Sequence, residues 1–185
     1  MKLLYSVLCS LALFTATHAG DMSAYEPSVG VEKEFKDFIT KFYIAAEDPS
    51  DKKGFTSFWI GSGSMVMADE EYRGWASIND MRQSLLRYPP GHKKSWWHII
   101  RHVTVRGETK IDKTYEADIT IQITSTPGAC TESYGKAAFT ILKDEEGKPR
   151  LLPGTMSMRW YQLTLQETSS ADEIPCSPRS LSAEE

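Results

Sequence analysis

The hydrophobic pattern of this chain changes period once, and that change limits the folds it can adopt. Up to residue 87 the apolar residues recur at helical spacing, whereas from Trp96 onward they alternate in four long segments typical of strands. Helices that precede a run of consecutive strands indicate an α+β domain rather than alternating βαβ units. Long strands in one sheet must curl, so we expect a curved antiparallel sheet with the N-terminal helices covering its concave face.

The predicted elements are three helical segments, one short strand and four long strands. The helices are Val31–Glu47, Ser50–Phe58 and Ser77–Arg87, and the strands are Ser64–Ala68, Trp96–Arg106, Thr114–Thr124, Ser133–Lys143 and Leu152–Leu165. We therefore predict one domain at residues 31–165. A flexible leader at 20–30 precedes it, and a mostly disordered tail at 166–185, rich in Ser, Glu and Pro, follows it.

The first nineteen residues have the pattern of a secretory signal peptide. Lys2 supplies a positive start, Leu3–Phe14 is apolar, and Thr17-His18-Ala19 is a small-residue cleavage site. The apolar stretch is too short to span a bilayer. We expect cleavage after Ala19 and a mature protein that is extracellular or in the lumen of the secretory pathway, without membrane association.

Cysteine usage and charge agree with export and exclude several classes of partner. Cys9 would leave with the signal peptide, so Cys130 and Cys176 form an even pair that we expect to be a disulfide tethering the tail. The net charge of −4 makes nucleic acid an improbable partner. The sequence has no zinc-ligand spacing, phosphate loop or dinucleotide fingerprint, so we expect neither a metal nor an organic cofactor.

Candidate chemistry lies on the predicted strand Trp96–Arg106. On an extended strand alternate side chains share a face. One face carries His98, Ile100, His102 and Thr104, and the other carries Trp97, Ile99, Val103 and Val105. The two histidines would stand about 13 Å apart on that face, too far for one metal ion. A face of polar and apolar side chains such as the first can line a small-molecule cavity.

The element order and three local motifs resemble the nuclear transport factor 2-like superfamily, in its SnoaL-like and scytalone dehydratase-like branch. The resemblance covers about Val31 to Tyr161. The motifs are Glu71-Tyr72-Arg73-Gly74 followed by Ile78, Trp97-His98-Ile99-Ile100 followed by Val103 to Gly107, and Gly147-Lys148-Pro149-Arg150-Leu151. The resemblance implies a cone-shaped α+β fold with an internal cavity. A second subunit usually covers the convex face in this superfamily. If the apolar stripe of Trp97, Ile99, Val103 and Val105 lies on that face, a homodimer is also expected.

The resemblance also suggests roles for individual residues. In scytalone dehydratase a histidine on this strand joins a second histidine, an aspartate and two tyrosines. His98 falls at the place of the first histidine, and Asp48 or Asp51 falls near the aspartate. Asp118 or Glu116 stands near the place of the second histidine, and no tyrosine occupies the tyrosine positions. The pairing of one histidine with one aspartate, as in the cyclases, is closer to this chain.

We therefore expect cofactor-free acid–base chemistry, namely dehydration, isomerisation or cyclisation of a small organic, polyketide-like molecule. A neutral imidazole beside a carboxylate is a workable general base near pH 7, which makes His98 the catalytic base and Asp48 or Asp51 its partner. The substrate-binding side chains would be His102, Ile100, Thr104, Tyr43 and Trp59.

Three alternatives remain open from the sequence. His98 can be a core histidine that bonds to a backbone group, and Asp48 and Asp51 can be helix-terminus residues. The protein can also be a secreted binding protein that uses the cavity without chemistry. In the third alternative it is a protein-interaction module with a filled interior.

Overall fold

A computed structural model of the protein describes residues 20–48, 50, 51, 53–86, 96–126, 129–168, 174 and 175. Its helices are α1, Glu34–Glu47, and α2, Gly74–Leu86, with a 3₁₀ turn at Phe55–Phe58. Its strands are β1 Glu26–Pro27, β2 Trp59–Met67, β3 Glu70–Arg73, β4 Trp96–Glu108, β5 Asp112–Thr126, β6 Ala129–Leu142, β7 Met158–Thr168 and β8 Ile174–Pro175. The predicted signal peptide, Cys176 and most of the predicted tail lie outside the described residues.

The strands form one curved sheet in the order β1-β4-β5-β6-β7-β2-β3, and β8 pairs with the start of β6. Strands β4 to β7 are the expected antiparallel meander. The α+β prediction is confirmed, but the sheet is mixed, because β2 pairs with β7 and β1 with β4 in parallel. Neither parallel pair is consecutive in sequence, so no hairpin forces it to be antiparallel.

Several predicted element bounds differ from the structure, and the two largest differences have local reasons. The second predicted helix reduces to the 3₁₀ turn, because strand β2 begins immediately after it, at Trp59. The last long strand starts at Met158 instead of Leu152. Residues 151–157 form a turn in which Gly154 and Met156 have positive φ angles of 78° and 49°.

Helix α1 covers the concave face of the sheet, as the helical periodicity predicted. Its apolar stripe is buried, with Phe35, Phe38 and Ile39 fully so. The Phe35 ring stacks on Tyr115 of β5 at 4.0 Å between centroids. Burying this stripe supplies most of the free energy that holds the helix on the sheet.

The leader is ordered against the edge of β4, so the prediction of a flexible segment at 20–30 is wrong. The Asp21 N–H donates to the His98 carbonyl at 2.7 Å, and the Ile100 N–H donates to the Asp21 carbonyl at 2.9 Å. Strand β1 continues this contact in parallel, pairing Glu26 with His102. The leader thereby satisfies polar groups of β4 that an open sheet edge would leave unpaired.

A β-bulge divides strand β4 and reverses the direction of its side chains. Ile100 pairs with Ile119 and Val103 with Ala117, so β4 has one more residue than β5 over this stretch. His98 and Ile100 therefore point inward with Val103, whereas His102 is exposed. The prediction that His98 and His102 share one face is wrong, because a bulge shifts the alternation by one residue.

The bulge also removes the apolar stripe on which the expected homodimer depended. Val103 belongs to the main core, and Val105 packs against it. Trp97 and Ile99 form a small separate cluster with Cys130 and are already buried within the single chain, at 3% and 7% exposure. No continuous apolar face made of these four side chains is left for a second subunit.

Cys130 is disulfide-bonded and fully buried. It pairs in register with Ile174 of β8, two positions before Cys176. The pairing of Cys130 with Cys176 stays a prediction, since Cys176 lies outside the described residues.

Neither helix in the described part of the chain is both long enough and apolar enough to cross a lipid bilayer.

Candidate functional site

A buried carboxylate–imidazole pair joins helix α1 to strand β4. Glu47 is the last residue of α1, and its Oε1 lies 2.9 Å from His98 Nδ1. The same oxygen accepts the backbone N–H of His98 at 2.9 Å. The two side chains are only 6% and 3% exposed. A carboxylate at this distance fixes the proton on Nδ1 and leaves Nε2 as the proton acceptor of the ring.

Aromatic rings on two sides hold the imidazole in place. Tyr43 stacks on His98 at 4.0 Å with an interplanar angle of 25°, and Trp96 meets it edge-on at 5.1 Å. Tyr43 and Glu47 are four residues apart on α1, so they lie on one side of the helix and reach the same ring. The orientation of the His98 ring is therefore fixed by packing as well as by hydrogen bonding.

His98 forms part of the wall of a cavity of about 210 Å³ between α1, α2 and the sheet. Four polar side chains in its wall are His98, Tyr43, Tyr161 and Arg82. The other wall residues are apolar or aromatic: Phe42, Ala46, Phe55, Met65, Met67, Met81, Leu85, Trp96, Ile121, Ile123, Leu163 and Leu165. Sites for drug-sized ligands occupy about 300–1,000 Å³, so this cavity suits a compact, largely apolar molecule.

Two tyrosine hydroxyls add hydrogen-bond donors to this wall. The Tyr43 hydroxyl is buried, interacts weakly with Tyr161 and makes no hydrogen bond of regular geometry among the described residues. Burial raises the pKa of Tyr43 well above its ordinary value, and the neighbouring Tyr161 adds to the effect. Burial also raises the pKa of Tyr161. Both phenols therefore stay protonated at neutral pH and can donate to an oxygen that gains negative charge.

Arg82 of α2 holds the end of α1 that carries Glu47. Its guanidinium donates to the carbonyl oxygens of Ala45 at 2.7 Å, Ala46 at 3.2 Å and Asp51 at 2.7 Å, and also to that of Asp48. These carbonyls lie at and beyond the end of α1, where intrahelical donors run out. Burial lowers the pKa of Arg82, yet a guanidinium remains charged in proteins. The charge also complements the negative end of the helix dipole.

The structure pairs His98 with Glu47, and neither aspartate that the sequence suggested is its partner. Asp48 is exposed, and its Oδ1 accepts the Ser50 N–H at 2.8 Å and hydroxyl at 2.6 Å. Hydrogen bonds from Ser50 lower the pKa of Asp48. The Asp51 carboxylate accepts the N–H groups of Lys53 and Gly54. Both aspartates organise the loop after α1, because their short side chains bond to nearby backbone groups.

Of the five residues predicted to bind substrate, only Tyr43 belongs to the cavity wall. His102 is exposed and lies 3.2 Å from the Ser28 hydroxyl, through Nε2. Ile100 and Trp59 are fully buried in the core, and Thr104 lies beyond the bulge. The bulge accounts for His102 and Thr104, since it changes the face on which each lies.

The sequence analysis did not predict Glu47 and Arg82 as site residues, although the position of each on its helix indicates such a role. Glu47 follows Tyr43 by four residues and therefore borders the apolar stripe of α1. Arg82 stands four residues after Ile78, on the buried side of α2. An ionisable residue on an apolar helical stripe must find a partner inside the protein, which makes it a candidate for a site.

A second concavity of about 450 Å³ lies over β2, β3 and β7, and its charges are already balanced. Arg73 pairs with Glu71 at 2.8 Å, and Arg159 pairs with Asp112 at 3.1 Å. It holds no histidine. The smaller cavity beside His98 is therefore the candidate site.

Comparison with known proteins supports the fold. Neither a protein-family model nor a curated protein sequence matches the chain. ActVI-ORFA from Streptomyces coelicolor is similar over 71% of this chain and 94% of its own, with a TM-score of 0.57 and 11% identity. A protein from Novosphingobium aromaticivorans, provisionally named a scytalone dehydratase, is similar over 78% and 90%, with a TM-score of 0.56 and 7% identity.

Nuclear transport factor 2 from Cryptosporidium parvum is similar over 75% of this chain and 100% of its own, with a TM-score of 0.52 and 12% identity. Identities this low establish architecture only. The curved sheet, the helix on its concave face and these similarities show that the chain has the nuclear transport factor 2-like fold.

Proposed function

We propose that the protein is an exported enzyme that performs cofactor-free acid–base chemistry on a compact organic molecule. The observation that carries this proposal is the buried contact of 2.9 Å between Glu47 and His98 at the wall of an apolar cavity. A carboxylate that fixes the tautomer and supports the charge of an imidazole is the arrangement of an efficient general base.

The proposed reaction begins at a carbon next to a carbonyl group. His98 Nε2 takes the proton from this carbon, and the Glu47 carboxylate stabilises the imidazolium that forms. The Tyr43 hydroxyl donates to the carbonyl oxygen as it becomes an enolate oxygen. The imidazolium then returns its proton to a leaving hydroxyl group, which departs as water, or to another carbon. The first outcome is a dehydration and the second an isomerisation.

The chemistry of the cavity wall limits the substrate class. Most of the surface offered to a ligand is apolar or aromatic, and the polar groups are concentrated at His98, Tyr43, Tyr161 and Arg82. Such a wall favours an aromatic or alicyclic ketone with few polar substituents. The name of one structural relative, provisionally a scytalone dehydratase, is compatible with a small organic substrate of this kind.

Deuterium exchange tests the proposal without knowledge of the natural substrate. The protein is incubated in D₂O with a panel of cyclic aromatic ketones and β-hydroxy ketones, and NMR follows exchange at the α-carbon and loss of water. Wild type should accelerate exchange of at least one ketone. His98→Gln should slow it by about 10²-fold or more. His102→Gln is the matched control on the same strand and should leave the rate unchanged.

Binding without chemistry is the second candidate, and the mostly apolar wall of the cavity favours it. A ketone that binds at the site and is recovered without exchange would support this alternative. Exchange that survives the His98→Gln substitution would overturn His98 as the base.

A further inference from the structure

We infer that removal of the signal peptide places a new charged group in the site, the α-amino group of Gly20, as an ion-pair partner of Glu47. The inference rests on the proposed export and on cleavage after Ala19. It extends the proposed function, because the group created would touch the carboxylate that supports His98.

The backbone nitrogen of Gly20 already lies beside Glu47. It is 3.4 Å from Glu47 Oε2, the oxygen that does not contact the His98 ring. Within the whole chain this nitrogen is an amide that donates one weak hydrogen bond. After cleavage it becomes an ammonium with three donors, and 3.4 Å is within ion-pair range. The carboxylate would then lie between the imidazole and the ammonium.

The position of this nitrogen is fixed by its neighbours. Asp21, the next residue, exchanges two backbone hydrogen bonds with β4, at His98 and Ile100. Gly20 itself is buried and has a φ of +62°. A Cβ added there would meet the Tyr43 Cβ at 3.4 Å and the Met22 Cε at 3.3 Å. The site therefore suits glycine as the first residue of the mature chain.

The groups that face this amine come from α1, from β4 and from the leader. Glu47 and Tyr43 approach from α1, His98 approaches from β4, and Asp21 is the adjoining residue. The Asp21 carboxylate is turned toward the Ser23 N–H, at 2.8 Å. Glu47 is therefore the carboxylate in direct contact with the amine. Because the pair is buried, solvent screens it less than a surface pair.

It follows that the precursor and the mature protein differ by one positive charge at the site. In the precursor, the contacts of the Glu47 carboxylate with Gly20 and His98 are to two backbone N–H groups and the imidazole. In the mature protein an ammonium balances the charge of the carboxylate. An ammonium beside Glu47 keeps this buried carboxylate ionised, which is the form that supports His98 as a base. We therefore expect the mature form to turn over ligand at least about tenfold faster than a form whose first nitrogen is an amide.

The first test measures the ion pair and does not depend on activity. The full chain is expressed with export, its N-terminus is identified by mass spectrometry, and the amine pKa is measured from the pH dependence of its acylation rate. We expect Gly20 as the first residue. Glu47→Gln should lower the amine pKa by about one unit or more, whereas the control Asp48→Asn should not change it. An identical amine pKa in wild type and Glu47→Gln, or a different N-terminus, would overturn the inference.

The second test measures the consequence for the reaction. Selective acetylation of the α-amine in the folded protein removes the charge without altering a side chain. Acetylated protein should show the tenfold loss in ketone exchange, and unaltered exchange would contradict a role for the amine in the site. If wild type exchanges no ketone at all while the amine pKa responds to Glu47→Gln, the proposed reaction fails and the ion pair stands.

Discussion

At the scale of single residues, Glu47 and His98 combine features that packing alone does not require. A carboxylate that is 6% exposed loses hydration, and it recovers that free energy only through hydrogen bonds. The N–H groups of His98 and Gly20 supply such bonds. Polar pairs of this kind inside an apolar wall break the local rules of a stable core, and they are typical of functional sites.

Glu47→Gln should reduce catalysis while the fold is kept. The amide can still hydrogen-bond to Nδ1, but it cannot stabilise the imidazolium, so kcat for ketone exchange should fall by about 10²-fold or more with little change in KM. Steady-state exchange kinetics check this result. Asp48→Asn, one residue away and exposed, is the matched control and should stay within about twofold of wild type. A Glu47→Gln variant with wild-type kcat would rule out the pair as the catalytic base.

Tyr43→Phe should affect stability and activity in opposite directions. Removing a buried hydroxyl that makes no hydrogen bond of regular geometry should leave the free energy of unfolding unchanged or raise it by up to about 1 kcal/mol. The same change should slow exchange by about 10-fold to 10³-fold, because one donor to the enolate oxygen is lost. Urea unfolding and exchange kinetics on the same preparation check both. A rate equal to wild type would show that the donor lies elsewhere.

At the scale of elements, the contact between α1 and β4 depends on how each one ends or bends. Helix α1 ends at Glu47, and near this end Arg82 from α2 donates hydrogen bonds to four backbone carbonyl groups. Strand β4 bulges after Ile100, so His98 points to the cavity although His102 points to solvent. The site therefore depends on irregular parts of regular elements, where local sequence preferences are weakest.

Arg82→Met should destabilise the protein by about 3 kcal/mol or more. Methionine fills a similar volume but leaves four carbonyl groups without their hydrogen-bond donor. Two of the hydrogen bonds lost, those to Ala45 and Ala46, are buried. Denaturant unfolding monitored by tryptophan fluorescence measures the loss. Arg73→Met removes an exposed pair with Glu71 and should cost less than about 1 kcal/mol. Equal effects of the two substitutions would contradict the role of Arg82 at the end of α1.

At the scale of the whole molecule, the leader is joined to the sheet along β4 and again at β5. Near the site, Asp21 pairs with β4. At a second place, Lys113 of β5 donates to the Gly30 carbonyl at 2.8 Å and to Glu32 at 2.7 Å, and the Tyr115 hydroxyl donates to Glu32 at 2.5 Å. These contacts bring together residues about 80 positions apart, so they contribute to cooperative folding of the leader with the domain.

The Glu32 cluster should make stability depend on acidity. Partial burial alone would raise the pKa of Glu32, but the hydrogen bonds from Lys113 and Tyr115 outweigh it, so the pKa is lowered. Because the pKa is lower in the folded state, the ionised Glu32 carboxylate stabilises the fold. This stabilisation is fully present above the pKa of the unfolded state, about 4.3, and is lost as the pH falls through the pKa of the folded state. Glu32→Gln should therefore be less stable than wild type by about 1–2 kcal/mol at pH 7.

Urea titrations between pH 2 and pH 7 check this expectation. The stability difference between wild type and Glu32→Gln should shrink below about pH 4, as Glu32 takes up a proton in the wild type. Glu34→Gln, an exposed residue near the start of α1, serves as the control. A stability difference that is constant with pH would show that the carboxylate charge plays no part.

Some features of this protein could be predicted from the sequence because they depend on local periodicity. The stripe of α1, the long strands after Trp96 and the α+β class follow from where apolar residues recur. The same reasoning predicted that His98 and Tyr43 face inward, and both side chains are buried. The partner of His98 was missed by one residue, since Glu47 ends α1 and Asp48 begins the loop.

What the sequence determined by itself is thus the class of the fold and the two elements that carry the candidate chemistry. Only the tertiary structure decided that Glu47 meets His98, that His102 faces solvent and that Gly20 reaches the same carboxylate. Each of these depends on a register shift or on a contact between residues 27 to 51 positions apart. Local propensity contains no information about such contacts, because the whole sheet must close before they form.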